Sequence, residues 1–373
     1  MSAAAVLFWC SVLLVLYAYA GYPLLLILSA RLFGRDVRRE DGTPEVTIVV
    51  PVCNQADAIR LKIENLLGLD YPKDRLRIVI ASDGSTDGTE EVVGSFASSG
   101  VRLVRSVERR GKEAAQNLAL AEVRGEIVVF TDATILLGGD SLRAIVRPFA
   151  DPEVGCVSSE DDVPGWGEGL YVRYEMHLRR LEGKIRTLVG VSGSFYAVRA
   201  DLLELTDPRY TRDFLVPLLV IAKGMRVASE PEARGRFLPA PSAGGEFRRK
   251  VRTVLRGMDV LSYQRRLLHP LRNPFVSWAL LSHKCARWAV PWALLAAFAA
   301  SAALLPSEPY WVFFAVQALF YLSAAAALFS RRWSAGPAGK AALFFTTTNA
   351  AVLVAGIRFL RGERAVVWEP TRR

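Results

Sequence analysis

Cysteine and histidine are scarce in this chain of 373 residues, which has 4 cysteines and 3 histidines. The cysteines lie far apart, at Cys10, Cys53, Cys156 and Cys285. Such spacing provides neither a zinc site nor a disulfide framework, so reduced and packed thiols are expected. The histidines His177, His269 and His283 are also isolated along the chain. A histidine metal cluster is therefore not expected.

Charge is absent from four long stretches. Residues 1–30 contain no charged side chain, and neither do 288–307, 309–330 and 341–357. About 20 apolar residues span a bilayer and about 17 are the lower limit, so the first three stretches are long enough and the last only just. We predict one transmembrane helix over 1–30 and two to three more within 287–360.

The first apolar stretch has one feature of a cleaved signal peptide, a run of small residues near 18–21 that resembles a cleavage site. A signal peptide begins with positive residues, and its apolar core stops at the cleavage site. Here no positive residue precedes the core, and the core continues to Ala30. We therefore expect a retained helix.

Positive charge is concentrated beside the apolar stretches. The net charge is +10, and arginine and lysine cluster at 31–39, 248–272 and 331–332. Basic loops stay in the cytoplasm, so the mixed block between the stretches is predicted to face the cytoplasm, beside the anionic lipids of the inner (plasma) membrane. Nucleic-acid binding is the competing explanation of a basic protein, but the charge follows the membrane borders.

The C-terminal charge does not fit four crossings. An outside N-terminus followed by four spans would place the C-terminus outside, yet residues 358–373 carry five arginines. Either 341–357 is re-entrant or interfacial, or a further membrane segment lies within 273–284. The sequence leaves both explanations open.

The block between the stretches lacks a P-loop and lacks a G-x-G-x-x-G after its first strand, which argues against an ordinary NTPase or a dinucleotide-dependent dehydrogenase. It alternates apolar strands with helical patterns instead. Strands are predicted over 46–52, 76–82, 101–106 and 126–132, and helices over 58–69, after 83 and over 112–122. This alternation predicts an α/β fold with a parallel sheet and right-handed crossovers.

Polar residues follow the predicted strands. Asn54 and Gln55 come after the first strand, Asp83 after the second and Asp132 after the fourth, while Lys112 begins a helix. In open sheets, ligands bind beyond the carboxyl ends of the strands. Carboxylates, a lysine and a helix N-terminus at one edge suit a nucleotide diphosphate and its metal ion.

Five motifs then occur in order over about 45–260: "VTIVVPVCNQ", "IVIASDGSTDGT", "RRGKEAAQNLAL", "VVFTDAT" and "YTRDF". Together they resemble the family 2 glycosyltransferases, which have the nucleotide-sugar-binding GT-A fold. The segment 166–199 and the closing "VVWEPTRR" resemble the membrane-bound bacterial branch that builds polysaccharides. The resemblance implies a cytoplasmic linker over 31–44, a GT-A domain over 45–243, an amphipathic helical region over 244–286 and a basic tail over 361–373.

The resemblance also implies donor-binding residues. The turn with Pro51, Asn54 and Gln55 would hold the base and ribose. Gln55 stands where many members have glutamate, so altered affinity is expected. Asp83 would contact the base and Lys112 would approach the nucleotide. The alternatives are a helix cap for the segment after Asp83 and a solvated lysine at a helix start.

Asp132 matches the first acid of the family's D-x-D turn, and Thr134 stands at the second position. The resemblance implies Mg²⁺ or Mn²⁺ bound by Asp132 and the donor phosphates. One carboxylate can suffice because Mg²⁺ keeps several waters, one of which Thr134 would hold. Metal-free donor binding by basic residues is the alternative.

Asp213 matches the base of the family's T-E-D motif, with Arg212 in place of the middle acid. The resemblance implies that Asp213 takes a proton from an acceptor hydroxyl during a single in-line displacement with inversion. Arg212 either pairs with Asp213 and lowers its pKa or points elsewhere. The alternative role of Asp213 is a helix N-cap.

Processive members carry Q-x-x-R-W, and the matching positions here are Arg249, Arg252 and Thr253. We expect both arginines near the diphosphate, but the missing tryptophan puts processivity in doubt. The same segment can also be an amphipathic helix that lies on anionic lipid, and the two explanations are compatible. Glu175 and Glu182 share a helix face and are expected to be surface acids rather than acceptor-site residues.

The predicted function is transfer of a sugar from a nucleotide-diphosphate-sugar, a UDP-sugar first, to a glycan or lipid-linked acceptor at the membrane. No nucleic-acid partner is expected. A polyprenyl-phosphate sugar transferase is one alternative. A non-catalytic membrane scaffold or transporter with a nucleotide-binding domain is the other.

Overall fold

The computed structural model describes residues 2–161, 168–238 and 245–364. Its strands are β1 (Val46–Val52), β2 (Leu76–Asp83), β3 (Val101–Ser106), β4 (Ile127–Thr131), β5 (Ile135–Leu137), β6 (Val154–Asp161), β7 (Phe195–Arg199) and β8 (Arg226–Phe237). Its α-helices are α1 (Ala3–Leu16), α2 (Tyr22–Phe33), α3 (Ala56–Leu67), α4 (Thr89–Gly94), α5 (Lys112–Ala119), α6 (Ser141–Val146), α7 (Glu168–Ile185), α8 (Arg212–Ala222), α9 (Glu246–Tyr263), α10 (Pro274–Leu280), α11 (Arg287–Ala303), α12 (Tyr310–Phe329), α13 (Arg331–Ala335) and α14 (Pro337–Leu360).

The strands form one sheet in the order β3-β2-β1-β4-β7-β6-β8-β5. β1 and β3 have the predicted bounds, and the predicted parallel pairing is confirmed across β3-β2-β1-β4. β7 departs from it, because it runs antiparallel to both β4 and β6. The loop before β7 therefore reaches the same edge as the carboxyl end of β4.

Both faces of the sheet are covered. Ile48 and Val50 of β1 belong to the same buried cluster as Ile63 of α3, while Val49 belongs to the cluster that contains Leu218 of α8. Every residue of β1 is buried, as expected for a strand with helices on both sides. The helices thus leave the strand ends as the accessible part of the sheet.

Four helical segments are long and apolar enough to cross a membrane: Ala3–Phe33, Pro274–Ala303, Tyr310–Phe329 and Pro337–Leu360. The second of them is continuous, because a π-helical turn over Leu281–Ala286 joins α10 to α11. Residues 274–284 are therefore the start of a longer helix, and the segment 273–284 is not a membrane segment of its own.

The last of these helices, α14, packs along α9. Ala351 and Ala355 of α14 form a buried cluster with Val251 and Leu255 of α9. Beyond the end of α14, Arg364 Nε lies 3.0 Å from Asp259 Oδ1 of α9. α14 also packs against α11 and α12, which belong to two other membrane-length segments.

Three parts of the sequence predictions lie outside the described residues. They are Trp166 at the start of the segment 166–199, the end of the predicted GT-A domain at 243, and the closing "VVWEPTRR" with most of the basic tail.

Candidate active site

The loops that follow β1, β2 and β4 meet the loop before β7 at one edge of the sheet. Thr131, the last residue of β4, pairs with Phe195, the first residue of β7. The backbone N–H of Asp132 then donates to the carbonyl of Ser194 at 3.0 Å. The antiparallel entry of β7 thus brings residues 190–194 next to Asp132, about 60 positions earlier in the chain.

Asp83 is fully buried at the end of β2 and holds the start of α5. Its Oδ1 accepts from the backbone N–H of Arg110 at 2.7 Å, and the N–H of Gly111 lies within 3.0 Å of both carboxylate oxygens. Gly111 has φ of +101°, which favours glycine. The idea that Asp83 caps the helix that follows it is wrong, because its carboxylate binds the turn before Lys112 instead.

Asn54 and Gln55 tie the loop after β1 to the loop after β2. Asn54 is the one non-glycine residue with positive φ in the described part of the chain. Its Oδ1 accepts from the N–H of Thr86 at 2.8 Å, and the N–H of Gln55 donates to Thr89 Oγ1 at 3.0 Å. Pro51 is buried inside β1, opposite Ala81 of β2. Contact of this turn with a base and ribose stays a prediction.

Lys112 lies against Asp132. Its Nζ is 2.5 Å from Asp132 Oδ1 and 3.4 Å from the carbonyl oxygen of Gly193. Burial lowers the pKa of Lys112, but the charges of Asp132 and Asp213 outweigh burial and raise the pKa above its ordinary value. Lys112 is therefore a paired ammonium at the strand ends and not a solvated lysine.

Lys62 holds both ends of the turn at 132–134 that contains Asp132. The sequence alone did not predict this role. Lys62 is fully buried in α3, and its Nζ donates to Thr131 Oγ1 at 3.0 Å and to the Ile135 carbonyl at 2.6 Å. These two acceptors flank the turn at 132–134. Burial lowers the pKa of Lys62 to about 7, with the charge of Asp132 acting in the opposite direction. The available signal was a lysine within the apolar face of a predicted helix, one turn after Ile59.

Asp213 lies in the first turn of α8, where Thr211 is the N-cap residue. Thr211 Oγ1 donates to Asp213 Oδ1 at 2.6 Å, so the N-cap explanation of Asp213 is wrong. The other oxygen lies against Gly193, where an added Cβ would be 2.1 Å from Asp213 Oδ2. Lys112, Asp132 and Asp213 therefore converge on Gly193.

Of the two possibilities for Arg212, the structure shows that it points elsewhere. Its side chain is fully buried, its guanidinium lies 5.4 Å from the centroid of the Phe130 ring, and it donates to Asn117 Oδ1. Burial lowers the pKa of Arg212, with Tyr196 and Glu113 opposing. The nearest anchor of the Asp213 carboxylate is thus the Thr211 hydroxyl.

The basic face of α9 reaches α5. Arg256 Nη2 lies 2.8 Å from Oε1 of Glu113, the residue next to Lys112. Arg252 precedes Arg256 by one turn on the same face. Arg249 makes a bidentate pair with Glu246 at 2.9 and 2.8 Å. Contacts of Arg252 and Arg249 with the donor phosphates stay a prediction.

The expectation that Glu175 and Glu182 are surface acids is wrong. His283, which is itself not isolated, lies between them, with Nε2 2.9 Å from Glu175 Oε2 and Nδ1 2.6 Å from Glu182 Oε1. Tyr22 OH also donates to Glu182 at 2.6 Å, and Arg287 donates to Glu175. The two acids fasten α7 to the first and second membrane-length helices.

The acidic turn fits a metal ion only together with a ligand. No group of three or more His, Cys, Asp or Glu side chains that could hold a metal occurs among the residues that the structure describes. The Asp132 carboxylate is already paired with Lys112. One carboxylate and the Thr134 hydroxyl are too few oxygen ligands for Mg²⁺ or Mn²⁺ by themselves, but they suit an ion that brings phosphate oxygens with it.

Comparison with known proteins agrees with this geometry. Residues 47–204 match the family model of Glycosyl transferase family 2. The chain is similar in structure to a mannosyltransferase from Pyrobaculum calidifontis that was solved in complex with GDP-Man and Mn²⁺. The TM-score is 0.73 and the sequence identity is 26%, and the match covers 96% of this chain and 99% of the mannosyltransferase.

Two curated relatives are more distant or match over less of the chain. A poly-beta-1,6-N-acetyl-D-glucosamine synthase of Staphylococcus aureus is 25% identical over 234 residues, which are 59% of this chain and 56% of that protein. A beta-monoglucosyldiacylglycerol synthase of Synechocystis is 31% identical over 173 residues, 42% of this chain and 36% of that protein. The matches thus span about half or less of these relatives. The family match and the structural similarity together show that residues 47–204 belong to a family 2 glycosyltransferase domain with the GT-A fold.

Proposed function

We propose that this protein transfers a sugar from a nucleotide-diphosphate-sugar to a glycan or lipid-linked acceptor at the cytoplasmic face of the inner (plasma) membrane. The observation that carries the proposal is the convergence of Lys112, Asp132 and Asp213 on Gly193 at the carboxyl edge of the sheet. This edge is where open α/β sheets bind their ligands. A cation, an acid for the metal and a second acid for the proton are the groups that this reaction uses.

The donor is held by the loops of β1 and β2 and by Lys112. Asn54, Gln55 and Asp83 shape the base and ribose site, and Lys112 supplies a positive charge for the diphosphate. UDP is the first candidate nucleotide, as in the sequence prediction. The GDP-Man in the complex of the Pyrobaculum mannosyltransferase makes a guanosine donor the first competitor to test.

Mg²⁺ or Mn²⁺ would be held by Asp132 and the donor phosphates. The ion, when bound, offsets the charge that develops on the leaving diphosphate. Because Asp132 is paired with Lys112 in the free protein, the Lys112 ammonium would leave Asp132 and bind the phosphates when the metal binds. Lys62 keeps the turn at 132–134 in place during this exchange, because it binds both of its flanks.

Asp213 accepts the proton of the acceptor hydroxyl. The hydroxyl oxygen forms a bond to the anomeric carbon, the bond from that carbon to the diphosphate breaks, and the proton passes to the carboxylate. One displacement of this kind inverts the anomeric centre. The hydrogen bond from Thr211 fixes Oδ1, so Oδ2, beside Gly193, is the oxygen available for the proton.

The test is Asp213→Asn in the purified full-length protein. Release of nucleoside diphosphate should be lost for the true donor, while calorimetry should still detect donor binding. Asp207→Asn is the matched control, because Asp207 is a surface acid paired with Arg209. Normal turnover by the Asp213→Asn variant would refute the assignment of Asp213 as the base. Failure of every nucleotide sugar to bind the wild-type protein would instead support the scaffold reading.

A second candidate is a polyprenyl-phosphate sugar transferase. It is favoured by a lysine of the second membrane-length helix, Lys284, whose Nζ lies 5.6 Å from the centroid of the Phe214 ring, next to Asp213. A phosphate acceptor is already ionised and needs little base catalysis. Turnover that survives Asp213→Asn with a polyprenyl phosphate would select this candidate.

We also infer that the chain crosses the membrane three times and that α14 lies at the cytoplasmic interface. The inference rests on the packing of α14 along α9 and on the Arg364–Asp259 pair. It places Arg358, Arg361 and Arg364 on the cytoplasmic side, as the positive-inside rule requires.

A further inference from the structure

A cavity of about 700 Å³ opens between α7, α12 and α14. Aromatic side chains dominate its walls, and they contact one another across the helices. Tyr171 of α7 lies 5.8 Å from Phe344 of α14, and Phe320 of α12 lies 5.6 Å from Phe345 of α14. Lys340 is the one charged residue of its lining. We call this cavity the aromatic groove.

The aromatic groove adjoins the donor site through α9. Lys250 Nζ of α9 lies 4.3 Å from the centroid of the Phe344 ring in the groove wall. Six residues later, Arg256 pairs with Glu113, next to Lys112. Six residues of helix correspond to about 9 Å. Helix α9 therefore contacts both the groove wall and the helix that begins with Lys112.

A cation is available between the groove and Asp213. Lys284 is half-buried, and no hydrogen bond or ion pair joins its ammonium to another residue within 2–161, 168–238 or 245–364. The neighbouring acids Glu175 and Glu182 are bonded to His283, and Glu175 is also paired with Arg287. Arg287 Nη1 in turn lies 3.4 Å from the hydroxyl oxygen of Tyr171 in the groove wall. Lys284 is thus a cation on the path from the groove to Asp213 that makes no direct ion pair with these two acids.

We propose that the aromatic groove binds the long apolar chain of a lipid acceptor and that Lys284 binds the phosphate group attached to that chain. This rests on the proposed function, since the acceptor is the second substrate of the same transfer. An apolar, aromatic wall selects a hydrocarbon chain, because burial of apolar surface is the main attraction there. A half-buried ammonium selects an anion, and a phosphate group carries up to two negative charges.

The phosphate can be the nucleophile itself or the link between the lipid and an acceptor sugar. Both place phosphate at Lys284 and a chain in the groove. Asp213→Asn separates them, because a phosphate nucleophile has no proton to lose at neutral pH whereas a sugar hydroxyl does.

The test uses the full-length protein in nanodiscs, with polyprenyl phosphate and a polyprenyl-diphosphate-linked sugar as probes. Ala341→Trp fills the groove from α14, and Leu319→Trp is its control because Leu319 is an exposed residue of α12 outside the lining. Lys284→Met removes the charge, and Lys284→Arg restores it. Donor hydrolysis to water, measured without lipid, reports on folding and donor binding.

We expect Ala341→Trp and Lys284→Met to raise the KM for the lipid probe at least tenfold, with donor hydrolysis unchanged in Ala341→Trp. Leu319→Trp and Lys284→Arg should stay within about threefold of the wild type. A photoreactive polyprenyl phosphate should label the α14 segment around Phe344, and unlabelled probe should compete.

Two results would overturn the proposal. One is an unchanged KM in both Ala341→Trp and Lys284→Met. The other is equal competition for labelling by phosphatidylglycerol, which would make the groove a site for bulk membrane lipid. Absence of donor binding in the wild-type protein would refute the glycosyltransferase function instead, so the two failures are distinguishable.

Discussion

Replacing Gly193 by alanine tests whether the position of the Asp213 carboxylate limits the rate of sugar transfer. The added Cβ would lie 2.1 Å from Asp213 Oδ2 and 3.0 Å from its Cγ. Contacts of a Cβ with another heavy atom below 3.0 Å are essentially never seen, so the carboxylate oxygen must move by about 1 Å. Gly193 is not among the glycines with positive φ, and its backbone therefore accepts alanine without strain.

A displacement of about 1 Å in a reacting group lowers a rate by about 100-fold. That factor corresponds to about 2.7 kcal/mol in the activation barrier. We expect Gly193→Ala to lower kcat by about this factor and to leave the donor KM within a few-fold of wild type, because Lys112 binds the Gly193 carbonyl and not its Cα.

The assay is steady-state release of nucleoside diphosphate with donor and acceptor varied separately. Gly190→Ala is the control in the same loop, since its added Cβ would make only ordinary contacts, at 3.5 Å from the Phe214 ring and 3.9 Å from Lys284 Nζ. It should keep kcat within about threefold. A wild-type kcat in Gly193→Ala would refute the reasoning. A rise in donor KM as large as the loss in kcat would show that the loop and not the carboxylate had been disturbed.

The remaining predictions concern the metal, the buried lysine and the membrane. Calorimetry should find weak Mn²⁺ binding without donor and much tighter binding with it, because Lys112 occupies Asp132 in the free protein; tight binding to the free protein would contradict this. Lys62 has a pKa of about 7 when folded and about 10.4 when unfolded, so between these values the unfolded chain binds more protons and stability rises with pH. Lys62→Met should flatten that rise in thermal unfolding of the detergent-solubilised protein, and an unchanged slope would refute the assignment. Single cysteines can be introduced into a variant that lacks the four natural cysteines and labelled with a thiol reagent that does not cross the membrane. Arg361→Cys and Arg35→Cys should be labelled from the cytoplasmic side, and Glu308→Cys should be labelled from the outside. Labelling of Arg361→Cys from the outside would show a fourth crossing.

The sheet was predictable from the sequence because its signal is local. The bounds of β1 and β3 follow from short apolar runs between turn residues, and helices on both faces make such runs continuous. Asp83, Lys112 and Asp132 were predicted at one edge because parallel strands align their carboxyl ends. The structure brings Lys112 and Asp132 into contact there.

The antiparallel strand β7 was not predictable in this way. Its entry places Gly193 beside Asp132 and Asp213, and no local pattern marks that strand as reversed. Lys62 was not predictable for the same reason. The helix pattern predicts which face of the helix carries Lys62, but it does not predict the two oxygens that accept hydrogen bonds from its ammonium.

Glu175 and Glu182 show most clearly that a local sequence pattern does not predict burial. Their spacing of seven predicts one shared helix face, and the structure agrees with that much. Whether the face meets water or protein depends on His283, about 100 positions later, and on Tyr22, about 160 positions earlier.

Sequence by itself determined the strand–helix alternation, the polar strand ends and the four membrane-length helices, since these depend on neighbours in the chain. Tertiary structure alone decided which acids are buried, where Arg212 points, that α14 lies along α9 and that an aromatic groove forms between α7, α12 and α14. The physical reason is that a buried charge is stable only with a partner, and these partners come from distant segments.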